Sequence, residues 1–339
     1  MPISIIAGAQ YGSEGKGKVA YEWALRRHAD AVVRVGGPNS GHTVVLPSGE
    51  VRVFRQLPTA ALLEDTVSVL VPGSYLNLDV LRREMDSVGA TPESVWVDPR
   101  AVVVTAEDIE SEERGSLRGR IGSTASGTGH ALQRRVSRDG STMRAADVEW
   151  LRPFLRDTLP GLERLARHGR VLIEGTQGYG LSLLHGLEGE FATSRDTTAA
   201  GFLSEAGLSP LDVDEVVLVA RAFPIRVAGN SGRLAHETDW NDIGQRAGID
   251  GLTELTTVTQ RVRRVGEFDA GIVVRAIQAN RPTHLVMNHV DYLGQLDTDL
   301  GMEQARAFIA DAESEMGRRI DLIGVSRDRL VSPNLVVRQ

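Results

Sequence analysis

The chain has 339 residues, 41% of them hydrophobic, enough for a substantial core arranged as one large α/β unit or as two domains. Its 38 basic and 45 acidic side chains leave a formal net charge of -7, which argues against broad binding to nucleic acid or to an anionic membrane; any phosphate must be held by a local basic cluster. Cysteine is absent, which excludes a disulfide framework, a thiol nucleophile and a cysteine-based zinc site.

Met1-Pro2-Ile3-Ser4 lacks the basic start of a secretion signal, and no apolar run approaches the roughly 18 residues of a membrane span. The expectation is a soluble, cytoplasmic protein. Ile3 to Ala7 reads as a buried strand, and Val19, Ala20, Trp23 and Ala24 share one face of a following helix. Between them runs Gly8-Ala9-Gln10-Tyr11-Gly12-Ser13-Glu14-Gly15-Lys16-Gly17-Lys18. A glycine turn from strand to helix collects unpaired amides and the positive end of the helix dipole, which suits phosphate. Gly12 to Lys18 matches the phosphate-loop pattern, but Val19 stands where that motif has a hydroxyl for magnesium. The competing reading is a plain turn with solvated lysines.

Ala31 to Val35 is a second strand, ending in Gly36-Gly37-Pro38-Asn39-Ser40-Gly41-His42-Thr43, which places His42 on the same sheet edge as the first loop. Val44 to Leu46 and Val51 to Phe54 predict a hairpin, Val67 to Val71 a buried strand, Leu78 to Val88 a helix and Val102 to Thr105 a short strand. The alternation predicts an α/β fold with a central, mostly parallel sheet flanked by helices. From Arg118 to Ser141 apolar anchors are few, and the pattern reads as a ligand loop whose Arg134, Arg135 and Arg138 could meet a phosphate, or as a plain surface face.

Ala145 to His168 has a helical pattern broken by Pro153 and Pro160. Val171 to Ile173 is a strand leading into Glu174-Gly175-Thr176-Gln177-Gly178, so Gln177 is a candidate contact. Thr193 to Thr198 offers hydroxyls that cap a helix or hold a second phosphate. Val216 to Ala220 is a strand and Ala270 to Asn280 a helix; between them Arg261 and Arg263 lie on one side of an extended segment and fit a carboxylate or phosphate. His284 to Met287 is the last central strand, with Asp291 beyond it able to read a guanine or to cap the next segment. Met302 to Met316 reads as a helix and Leu322 to Val325 as a short strand.

Four of these patterns, Gly12 to Lys18, Asn39 to Thr43, Glu174 to Gly178 and Arg261 to Arg264, occur in the same order in adenylosuccinate synthetase. The chain resembles that family along most of its length. The resemblance implies a single adenylosuccinate-synthetase-like domain over 1–339, related to the P-loop NTPases. It also implies an enzyme, a purine nucleotide–aspartate ligase using a nucleoside triphosphate and magnesium. Two features set the chain apart: Ser13 replaces the family's Asp, and the chain is shorter than bacterial members. Both are similar to the phage branch, which joins aspartate to dGMP to make N6-succino-2-amino-2'-deoxyadenylate for 2-aminoadenine DNA; such a protein would work in the host cytoplasm. A carboxylate would crowd the 2-amino group of guanine, whereas a hydroxyl leaves room, although serine is a poor base unless activated. The alternatives are an ordinary synthetase acting on IMP with GTP, an inactivated synthetase and, more distantly, a non-enzymatic nucleotide switch.

Carried over residue by residue, the resemblance assigns Ser13, Lys16 and His42 to catalysis, His42 as hydrogen-bond donor or general acid. It assigns Ser13, Asn39, Thr124, Arg138, Gln177, Thr193 and Arg261 to dGMP, with Arg138 reaching the site of a partner subunit in a homodimer. Val258, Thr259, Gln260, Arg261 and Arg263 match the aspartate loop, where Val258 and Gln260 depart from the family's Thr and Gly. The triphosphate falls to Ser13, Glu14, Gly15, Lys16, Gly17, Lys18, Gly41, His42, Thr43 and Arg263, with Asn288, His289, Asp291, Gly324 and Ser326 at its base. His289 stands where the family has Lys, which favours ATP or dATP over GTP. The carbonyl of Gly41, with Ser13 Oγ, is the expected Mg2+ ligand.

Overall fold

A computed structural model describes residues 2–256 and 260–337, with the side chains of Val336 and Val337 outside the description. Nine strands form the central sheet: β1 (Ile3–Gly8), β2 (Ala31–Arg34), β3 (Val67–Leu70), β4 (Val95–Val97), β5 (Val171–Glu174), β6 (Val213–Arg221), β7 (His284–Asn288), β8 (Leu322–Gly324) and β9 (Leu330–Val331). Their order is β9-β8-β7-β6-β1-β5-β2-β3-β4, and every neighbouring pair is parallel except β8 with the edge strand β9. The expected α/β fold with a mostly parallel sheet is what forms.

β1 occupies the centre because its residues are apolar on both faces. Ile3, Ile5 and Ala7 enter one core with Ile173, Phe202 and Leu218, while Ile6 meets Val19, Trp23 and Val217 on the other face. Ile5 is level with Val216 of β6 on one side and Ile173 of β5 on the other. A third cluster, around Phe54, Leu76, Leu81 and Leu151, packs beyond the β3–β4 edge. The loops that leave β1, β2, β5, β6 and β7 at their carboxyl ends therefore converge, as open parallel sheets require of a ligand site. Among the described residues no helix is long and apolar enough to cross a membrane.

Several local expectations change. Arg118 to Ser141 is not a bare loop: residues Leu117–Ile121 and Thr128–Ser137 are helical, and two of its arginines are engaged by groups of the protein itself. Arg134 makes a two-pronged pair with buried Asp108, 2.7 Å at each contact, and Arg135 donates to the Pro72 carbonyl. Pro160 does not break its helix, Thr158–His168, because it lies in the first turn, where the missing N–H has no intrahelical partner to lose. The residues before it form 3-10 turns, Ala145–Asp147 and Glu149–Phe154. Of the expected strand Val102 to Thr105, only Val102 and Val103 pair as a strand, and Thr105 caps the next helix in a reciprocal pair with Asp108. The last long helix starts at Asp299, capped by the Thr298 hydroxyl.

Candidate active site

The first loop is built on left-handed backbone at Gly12 (φ +88), Ser13 (φ +59) and Gly15 (φ +84). Gly15 caps helix α1 (Lys16–Arg27) without a side chain, so the first-turn amides are left for an anion. Inside the loop, the buried carboxylate of Glu14 accepts from the amides of Gln10 (3.1 Å) and Gly12 (2.8 Å) and from Lys16 Nζ (2.6 Å). Glu14 is thus turned inward and folds the loop, while Gly12, Ser13, Gly15, Lys16 and Gly17 line a cavity of about 400 Å3. At Gly17 a Cβ would lie 2.8 Å from the Thr43 carbonyl oxygen and 2.9 Å from His42 Cβ. Only glycine lets α1 press against the strand that carries His42.

His42 opens the hairpin His42–Val45 and Val51–Phe54 and lines the same cavity. Its Nδ1 lies 2.5 Å from Glu174 Oε1, and the Arg34 guanidinium stands beside both, 2.6 Å from Nδ1 and 3.2 Å from Oε1. The other carboxylate oxygen accepts from the Thr59 amide at 2.8 Å, and the Thr59 hydroxyl is 3.0 Å from it and from the Gly17 carbonyl. Burial and the neighbouring Arg34 pull the His42 pKa down to about 4. Glu174 stays ionised: burial would raise its pKa, but the hydrogen bond from His42 and the charge of Arg34 outweigh it and lower the pKa. A carboxylate can only accept here, which puts the neutral imidazole's proton on Nδ1 and leaves Nε2 the unprotonated nitrogen, with the Arg34 guanidinium 3.2 Å from it.

A second cavity, of about 210 Å3, adjoins the first and shares Tyr11, Asn39, Thr124 and Gln177 with it. Thr193 lies in this second cavity, its loop anchored by its amide on the Leu181 carbonyl at 2.8 Å. Asn39 Oδ1 is buried there without a hydrogen-bond partner among the described residues. Gln177 is in left-handed backbone, φ +58. Glu112 closes the far end, its carboxylate accepting at 2.7 Å from the amides of both Gly127 and Gly129. Arg138 ends its helix in left-handed backbone, exposed and away from both cavities.

On the other side, Gly41, Thr43, Arg263 and His289 line the first cavity. Burial and Arg221 keep His289 neutral. Asn288 is buried, donating to the Glu14 carbonyl at 2.7 Å, and Lys18 turns from the phosphate loop to donate to the Ser326 carbonyl at 2.8 Å. Gly324 packs against both, and Asp291 is close enough to Lys18 to feel its charge. Arg263 and Arg261 part company. Arg263 faces the cavity, whereas Arg261 is exposed, its amide on the Thr256 hydroxyl at 3.0 Å. Gln260 donates its amide to the Thr256 carbonyl; Val258 and Thr259 lie outside the described residues.

A family model for adenylosuccinate synthetase matches residues 5–149 and 143–300, spanning all of these loops up to Asp291. The chain belongs to the adenylosuccinate synthetase family. It is similar to the adenylosuccinate synthetases of Pyrococcus sp. (strain ST700), 33% identical over 333 residues and 95% of each chain, and of Methanococcus vannielii, 33% over 334 residues, 95% of this chain and 96% of the other. Among solved structures it resembles the succinoaminodeoxyadenylate synthetase of cyanophage S-2L bound to dGMP and dATP, with a TM-score of 0.83, 29% identity and 98% and 95% of the two chains covered. It also shares its fold with the fully ligated adenylosuccinate synthetase of Plasmodium falciparum, TM-score 0.86 at 21% identity, covering 98% and 100%.

As an adenylosuccinate synthetase family member, the chain is a ligase of the aspartate–purine nucleotide type. The sequence reading missed the residues that hold this synthetase site from behind: Arg34, Glu174, Arg221, Glu254 and Glu112. Glu174 carried a signal, since it opens the motif that ends in Gln177. The others had none, because each acts through contacts with residues distant in sequence.

Proposed function

We propose that this synthetase joins L-aspartate to C6 of dGMP, driven by ATP or dATP, giving N6-succino-2-amino-2'-deoxyadenylate, phosphate and the nucleoside diphosphate. The carrying observation is the wall around Ser13. The one carboxylate lining the first cavity among the described residues is that of Glu254, and it is paired with Arg221 at 2.6 Å. A purine with a 2-amino group therefore meets a hydroxyl with lone pairs to offer rather than a second acid. The likeness to the cyanophage protein bound to dGMP and dATP supports this reading. The archaeal relatives named adenylosuccinate synthetase support a second one, with IMP as the acceptor.

In the proposed reaction the γ-phosphoryl group passes to O6, and the aspartate amine then attacks C6 and expels phosphate. Lys16 and the first-turn amides of α1 would neutralise the transferring group, where positioning and charge dominate. Anionic phosphates beside His42 favour its protonated ring, so Nε2 can then donate to the bridging oxygen while Glu174 holds Nδ1. Asn39, Thr124, Gln177 and Thr193 would grip the monophosphate across the two cavities, and Arg138, exposed at its helix end, would reach a partner's site in a homodimer. Arg263, with Arg261 and the 258–260 loop, would take the aspartate carboxylates.

Mg2+ fits hard oxygen ligands such as the Gly41 carbonyl and the Ser13 hydroxyl, and both residues line the cavity beside Lys16. No cluster of three or more His, Asp or Glu among the described residues could hold a metal alone, so phosphate oxygens and water would complete its shell. The ion would supply neutralisation of phosphate charge. At the base of the triphosphate, neutral His289 offers a flat ring where a lysine stem would favour guanine, which suits adenine.

The test is to incubate the protein with aspartate, Mg2+ and dGMP or IMP, each with ATP, dATP or GTP, and to weigh the succinylated nucleotide by mass spectrometry. Conversion of dGMP with ATP or dATP supports the proposal; conversion of IMP alone overturns it.

A further inference from the structure

Arg221, at the carboxyl end of β6, is fully buried and ranks among the largest such side chains. Its backbone is clamped on both sides by Gln10, whose Oε1 accepts from the Arg221 amide at 2.9 Å and whose Nε2 donates to the Arg221 carbonyl at 3.1 Å. The guanidinium then spans two loops. One N–H reaches the backbone carbonyl of Ser13 at 3.0 Å, and the fork closes on both carboxylate oxygens of Glu254, at 3.1 and 2.6 Å. Glu254 in turn forms the foot of a hairpin: its carbonyl accepts from the Arg263 amide at 2.9 Å, and Leu255 bridges to Val262. The Glu254 pKa falls to about 2, since the Arg221 guanidinium beside it outweighs the effect of burial, so the carboxylate is ionised.

Ser13 is a non-glycine residue at φ +59, a conformation that persists only where the surroundings fix it. Arg221 supplies that fixing at the Ser13 peptide. A buried guanidinium is costly to leave unpaired, so the position of Arg221 is tied to that of Glu254 at the foot of the hairpin. We propose that Arg221 and Glu254 are positioning residues that couple the amino-acid hairpin to Ser13, so that filling the aspartate subsite tightens the grip on the purine. This rests on the reading that Ser13 faces the purine and that the hairpin takes aspartate. The coupling is reciprocal: purine nucleotide must tighten aspartate by the same factor.

The test uses the full-length protein with Glu254→Gln, Arg221→Met, Arg221→Lys and the Glu254→Gln/Arg221→Met double variant, each checked for folding by its thermal melt. Purine monophosphate affinity is measured with and without saturating aspartate, beside steady-state kinetics. In the unsubstituted protein aspartate should tighten nucleotide binding on the order of tenfold, and Glu254→Gln should abolish that gain. Glu254→Gln should also raise KM for both aspartate and nucleotide by about tenfold with a smaller change in kcat. Arg221→Lys should recover part of the Arg221→Met loss, and the double variant should be no worse than the poorer single one. Should Arg221→Met fail to fold, Glu254→Gln decides alone. Folded Glu254→Gln with unchanged Michaelis constants and undiminished coupling overturns the inference, as do single effects that simply add. Running dGMP and IMP in parallel separates the two claims: if IMP alone is converted, the dGMP assignment falls while the coupling is read on IMP.

Discussion

His42 Nδ1 lies 2.5 Å from Glu174 Oε1, with both side chains buried where the ends of β2 and β5 meet. The relationship makes Glu174 the residue that sets the tautomer of His42. Glu174→Gln keeps the volume but removes the fixed acceptor, and kcat should fall on the order of 100-fold with KM for the triphosphate changed much less. Steady-state kinetics on the folded variant checks this; an unchanged kcat would detach Glu174 from the chemistry.

The pH dependence of stability follows from the same contact. Burial and Arg34 hold His42 down to about 4 in the folded protein, against about 6.5 when unfolded. The unfolded chain therefore takes the proton first as pH falls, so the stability this group contributes is complete above about 6.5 and is lost progressively toward 4. His289 shifts in the same direction, through burial and Arg221. Calorimetric melting temperatures should fall from pH 7 to 4.5, and His42→Asn should flatten that slope relative to the unsubstituted protein. Equal slopes would contradict the assignment.

Gly17→Ala tests the close approach of α1 to the hairpin. The added carbon meets the Thr43 carbonyl oxygen at 2.8 Å, backbone that cannot rotate away. The expected destabilisation is about 1–3 kcal/mol, and displacement of His42 should lower kcat as well. Denaturant melts and kinetics on one preparation measure both.

At the opposite edge of the sheet, Glu215 accepts from Ser4 Oγ (2.6 Å), Trp23 Nε1 (3.0 Å) and Arg27 (2.5 Å), with Arg170 at 3.3 Å. This cluster ties β6 to α1 far from the substrate loops. Glu215→Ala leaves those donors without their shared acceptor and should cost about 1–3 kcal/mol of stability while leaving kcat/KM within twofold. A large loss of activity in still-folded protein would contradict the division between the two edges.

Strands and helices with one-sided or continuous apolar runs were legible in the sequence: Ala270–Asn280 forms as expected, and Ile3 to Ala7 forms the central strand. The segment from Arg118 to Ser141 was not, because its helices are anchored by polar contacts such as Arg134 to Asp108 and the glycine amides to Glu112, which leave no hydrophobic period to read. At the site, glycine-rich loops after strands marked Ser13, His42 and Gln177, which line one cavity. The direction of a side chain was not legible. Glu14 turns into its own loop, Lys18 turns to the remote Ser326 carbonyl, and Arg261 and Arg263 diverge, since the backbone conformation of each loop, which no residue pattern spells out, decides where its side chains point.

The central claim is that a hydroxyl at position 13 selects the 2-aminopurine. The most direct measurement is the ratio of kcat/KM for dGMP to that for IMP, in the unsubstituted protein and in Ser13→Asp, with ATP and aspartate saturating. If the hydroxyl selects dGMP, the ratio is well above one and drops by about tenfold or more when the acid is introduced, as an unfavourable contact of about 1.4 kcal/mol requires. A ratio below one in the unsubstituted protein, or one that Ser13→Asp leaves unchanged, would contradict it.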